Sequence, residues 1–150
     1  MLSRLIGIVL AASLCNVAAA VPPSMSLADY LARKKQISVD YRAAQAACGV
    51  NPSSAREVCR AEALGRDGVA KADLEVAYRS TPRTRYEANE ARADALFWVA
   101  QERCDDSARL LRDSCLRDAK EARLTARSNA SLGMHAAEAD LHKAGIHDAK

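Results

Sequence analysis

Four cysteines in two equal spacings constrain this chain more than any other feature: Cys48 and Cys59 enclose ten residues, and Cys104 and Cys115 enclose ten more. Sliding the sequence along itself by 56 positions, the distance from Cys48 to Cys104, superposes more than the cysteines. Tyr30 falls on Tyr86, Tyr41 on Phe97, Ala44-Gln45 on Ala100-Gln101, Arg56 on Arg112, Glu57 on Asp113 and Ala63 on Ala119. Matching both cysteines with their flanks points to two copies of one unit, about 26–80 and about 82–131, followed by a C-terminal extension over 133–150.

The unit is helical. From Phe97 the small and apolar residues fall at Ala100, Cys104, Ala108, Leu111, Cys115, Ala119, Ala122 and Ala126, in steps of three and four that repeat every eleven. The first copy shows Tyr41, Ala44, Cys48, Ala55, Cys59, Ala63 and Ala70 at the same places. Helix starts are signalled at Ser26 with Asp29, at Ser54 with Glu57, and at Thr81 before Pro82. The expected helices span about 26–48, 53–79, 83–104, 106–131 and a short one at 134–144. The fold class is therefore all-α, a small helical bundle of two disulfide-stapled hairpins whose apolar stripes bury against each other.

Which cysteines pair decides the architecture. Eleven steps along an unbroken helix return a residue to the same face but about 16 Å away, whereas a disulfide needs Cα atoms within about 7 Å. A bond inside each pair thus requires a turn between its cysteines. Gly49-Val50-Asn51-Pro52 supplies one in the first copy; the second has only Asp105-Asp106-Ser107, without Gly or Pro. Local pairing is preferred because the copies should fold alike. A crossed pattern, Cys48 with Cys115 and Cys59 with Cys104, also satisfies the spacing.

The compartment follows from the N-terminus. Arg4, an apolar run from Leu5 to Leu14, and Ala18-Ala19-Ala20 form the three parts of a cleavable signal peptide over 1–20, with the mature chain, 21–150, beginning near Val21. The apolar run is too short for the roughly 20 residues of a membrane span. Cleavage removes Cys15 and leaves an even four cysteines in an oxidising compartment, which favours disulfides over a metal site. A periplasmic or secreted protein with no transmembrane segment in its mature chain is expected. The hydrophobic fraction is 49% but aromatics are only 4%, so the core should be thin and dependent on its staples.

Chemistry is sparse. No nucleophile with a base, phosphate loop, dinucleotide fingerprint or zinc-protease motif occurs, so no enzyme and no cofactor are expected. With 22 Lys plus Arg against 19 Asp plus Glu, the charge balance does not point to nucleic acid. Two surface candidates remain. His135, Glu138 and His142 fall on one face of a helix in the extension, near Met134 and His147, and offer nitrogen and carboxylate ligands to a metal. Their alternative reading is a polar terminal helix. Arg79, Arg83 and Arg85 crowd the segment around Pro82 and suit an anionic envelope surface. Trp98, beside Phe97, belongs either to the core or to a partner surface.

Cys48 through Cys59 followed by Arg60-Ala61-Glu62-Ala63, and Cys104-Asp105-Asp106 through Cys115 followed by Ala119-Lys120, resemble the repeats of small exported Gram-negative proteins rich in alanine and charge, loosely labelled TolA-like. The resemblance covers about Tyr41 to Ala130 and implies a periplasmic setting. The function expected is a non-enzymatic binding or structural module of the cell envelope, with an envelope protein or anionic surface as partner and oligomeric state open. The alternative is a periplasmic metal-binding or stress-protective protein using the C-terminal histidines.

Overall fold

The Ser26 side chain starts the first helix: its Oγ accepts the Asp29 amide at 3.1 Å and donates to Asp29 Oδ2 at 2.7 Å, occupying a backbone N–H that the helix leaves unpaired. The structure, a computed structural model, describes residues 25–145. Helix α1 runs Leu27–Ala47 and passes into a 3-10 turn, Cys48–Val50. It is followed by α2 (Ser53–Tyr78), α3 (Pro82–Asp105) and α4 (Arg109–Lys143). The signal segment over 1–20 and His147 lie outside the described residues.

Each boundary has a local cause. Thr81 and Thr84 exchange backbone and side-chain hydrogen bonds at 2.9 and 3.1 Å in a capping box, with Pro82 in the first turn where its missing N–H costs nothing. Helix α2 starts at Ser53 as expected, but without the cap signalled by Ser54 and Glu57: Pro52 precedes the helix and no side chain caps it. Gly133 does not interrupt α4, so the separate helix expected at 134–144 is the last third of one 35-residue helix. The stop comes instead at Gly145, whose φ of 69° is the left-handed conformation that ends helices.

Both disulfides are local, Cys48–Cys59 and Cys104–Cys115, each with Cα atoms 5.6 Å apart, so α1–α2 and α3–α4 are stapled hairpins. The second turn forms without Gly or Pro: the Ser107 amide donates to the Cys104 carbonyl at 3.0 Å, the Ser107 hydroxyl to the Arg103 carbonyl at 3.3 Å, and Arg112 reaches back across the turn to Asp105 Oδ1 at 2.7 Å. In the first turn Arg56, 56 positions earlier, donates from Nη2 to the Asn51 carbonyl at 2.9 Å.

Ion pairs mark the register between neighbouring helices. Glu62 with Arg103 and Asp73 with Arg92 join α2 to α3, one number falling as the other rises, which makes the helices antiparallel. Asp94 with Arg123 and Glu90 with Arg127 do the same for α3 and α4. At the first hairpin the Tyr30 hydroxyl donates to Glu75, and the Tyr30 and Tyr78 rings lie 4.7 Å apart. Each helix packs on its sequence neighbours alone, so the four form an open series.

The buried residues are small. Ala61, Ala63 and Gly65 are buried on α2 and Ala88 and Ala93 on α3, and Leu74 is the one large aliphatic side chain that is buried among the described residues. Gly65 permits the closest approach: a methyl group there would stand 2.8 Å from the Ala95 Cβ. The expectation that two apolar stripes bury each other is not met, since neither α1 nor α2 packs on α4. The second stripe folds at its turn instead, bringing its halves face to face and leaving Leu111 63% exposed.

Candidate functional site

Folding the stripe back creates the principal concavity. Cys104–Cys115 fixes one end of α3 against α4. Further along, Arg123 donates to Asp94 at 2.6 Å with its guanidinium 4.9 Å from the Phe97 ring centroid, and Arg127 donates to Glu90 at 2.6 Å. Hydrogen bonding to the Glu90 carboxylate holds both the Arg127 guanidinium and the Tyr86 hydroxyl above their ordinary pKa. Between these clamps lies a groove of about 710 Å³. Leu96, Phe97, Val99 and Ala100 line it from α3, and Cys115, Ala119, Ala122 and Ala126 from α4. Its rim carries Glu62, Arg103 and Arg123, and Leu96 is 73% exposed. A second cavity of about 390 Å³ shares Glu62, Leu96 and Val99 and extends the apolar surface to Gly65 and Val69 of α2.

The first hairpin has a counterpart groove, lined by Ile37, Asp40, Tyr41, Ala44, Ala63, Arg66, Asp67 and Ala70. Adding 56 to each number gives Ala93, Leu96, Phe97, Ala100, Ala119, Ala122, Arg123 and Ala126, all of which line the larger groove. The chemistry differs. Asp40 and Arg66 stand where the second hairpin has Leu96 and Ala122, and the smaller space is about 230 Å³. Asp67 is 8% exposed and accepts from Lys71 Nζ at 2.7 Å.

The other candidates are placed as follows. His135 Nδ1 lies 3.4 Å from Glu138 Oε2, but among the described residues no three His, Cys, Asp or Glu side chains are gathered to hold a metal. The two-turn separation of His135 and His142, about 10 Å, accounts for that. The arginine cluster is exposed at the α2–α3 turn and internally engaged. Arg83 donates to Glu87 at 2.6 Å, a hydrogen bond that raises its pKa, while Arg85 donates to Ser80 Oγ at 2.8 Å and Arg79 lies 5.9 Å from the Tyr78 ring centroid. Trp98 is half-buried on the opposite side of α3 from Leu96, near Tyr41 and Leu64. The groove itself was legible as a stripe at Phe97, Ala100, Cys104, Cys115, Ala119, Ala122 and Ala126, but periodicity cannot tell a stripe that is covered from one left open.

Among the described residues no helix is long and apolar enough to cross a membrane. No protein-family model matches the chain, and no curated protein or solved structure is significantly similar to it.

Proposed function

We propose that the chain is an exported, non-enzymatic module of the cell envelope, built by duplication of a stapled hairpin, that works by association through the groove of its second hairpin. The observation carrying this reading is the groove: an apolar concavity with Leu96 exposed, on helices braced by a disulfide and two ion pairs. Exposed apolar surface contiguous over two helix interfaces marks an interaction site. The bracing matters because a preformed surface loses little freedom on binding. Export is supported by the signal-like segment over 1–20 and by disulfides that persist in oxidising compartments. The 56-position correspondence of the two grooves supports duplication.

Fractionation and cross-linking of the native host, with the wild-type chain and Leu96→Glu, tests the proposal. The wild-type protein should appear in the periplasmic fraction, oxidised and in a cross-linked complex. The variant should reach the same fraction with the same disulfides but as a single chain. Cytosolic protein with free thiols, or a complex indifferent to Leu96→Glu, would contradict it.

A further inference from the structure

Most aromatic rings of this chain carry a cation of their own. Tyr30, Tyr78, Tyr86 and Phe97 each have a Lys or Arg side chain 4.9–5.9 Å from the ring centroid, an arrangement that the negative face of an aromatic ring favours. Among the described residues the two rings without one are Tyr41 and Trp98. The duplication shows what is missing at the first. Tyr41 corresponds to Phe97, but 56 positions before Arg123, the cation of Phe97, stands the carboxylate of Asp67.

The two uncovered rings line one cavity of about 260 Å³ between α1, α2 and α3. Gln45 donates to the Tyr41 hydroxyl at 2.6 Å and steadies that ring. Trp98 and Glu102 stand one turn apart on the same face of α3. Three charged side chains line the space. Arg60 donates to both carboxylate oxygens of Glu57, at 3.1 and 3.4 Å, so these two charges offset each other. Glu102 has no ion pair or hydrogen bond among the described residues, and its charge is left uncompensated.

We propose that this cavity binds an organic cation of the quaternary ammonium class, its methyl groups against Tyr41 and Trp98 and its charge facing Glu102. Two rings without cations beside one free carboxylate suit a diffuse charge that needs no hydrogen bonds. A primary ammonium has three N–H donors to satisfy, and Glu57 is already engaged by Arg60. The volume lies just under the roughly 300–1,000 Å³ of drug-sized ligand sites, which fits a single headgroup. The site is separate from the α3–α4 groove and stands independently of the association proposed there.

Trp98 is the only tryptophan of the chain, so its fluorescence reads the cavity directly. Titrating the oxidised protein recovered from its native host with choline should give a saturable change, with a dissociation constant on the order of 1 mM. The neutral analogue of choline, with carbon in place of nitrogen, should bind at least about tenfold more weakly. Glu102→Gln, which keeps the side-chain shape, should weaken choline binding about fivefold, and Tyr41→Leu about tenfold, with far-UV circular dichroism unchanged. Asp113→Asn removes an exposed carboxylate of α4 outside the cavity and should leave binding as it is. The absence of a saturable change, equal affinity for the neutral analogue, tighter binding of a primary alkylamine, or a response to Asp113→Asn as large as that to Glu102→Gln would overturn the proposal.

Discussion

A methyl group at Gly65 would also lie 3.1 Å from the Ala95 Cα, so α2 and α3 must separate to admit it. Overpacking of this kind costs about 1–3 kcal/mol, against about 1 kcal/mol gained in helix propensity. Gly65→Ala should therefore lower unfolding stability by about 1 kcal/mol in a urea titration. Gly68→Ala, with nothing within 4 Å of the added carbon, should raise it by a similar amount. Equal effects at the two glycines would mean that the α2–α3 contact is looser than described. At this scale the sequence was partly readable. Ser26 and Thr81 announce their caps because capping is local chemistry, but Gly65 gives no sign of its partner, since Ala95 is thirty positions away.

The hairpins depend on their staples more than on buried apolar surface. Each disulfide closes a separation of 11 residues, worth on the order of 3 kcal/mol in the chain-entropy model. Opening Cys104–Cys115 by paired serine substitutions should lower the urea midpoint at least as much as opening Cys48–Cys59. The second turn lacks Gly and Pro, and its half-exposed Arg112–Asp105 pair contributes about 1 kcal/mol or less. A negligible loss for either variant would show that packing alone holds the hairpin. Local pairing was readable from Gly49 to Pro52. The uninterrupted α4 was not, because a helix-interior glycine such as Gly133 with open space around it leaves the backbone free to continue.

As a whole the molecule is a series of helices with unequal support. Helix α1 has no fully buried residue and packs on α2 alone, whereas α2 and α3 each have two neighbours. Amide hydrogen exchange should accordingly be fastest in α1, slowest in α2 and α3, with the ladder of opening energies following burial. Uniform protection would indicate cooperation between the hairpins that the contacts do not supply. The all-α class was readable from the eleven-residue pattern. The open series was not, because the same stripe serves equally for an internal core or an external surface. The central claim, an exported chain of two locally stapled hairpins, is tested most directly by peptide mapping without reduction of protein recovered from its native host. Trypsin cutting at Arg56, Arg79 and Arg112 separates the four cysteines. The account predicts an N-terminus near Val21, Cys48 linked to Cys59 and Cys104 linked to Cys115; an intact Met1 with four free thiols, or Cys48 linked to Cys115, would contradict it.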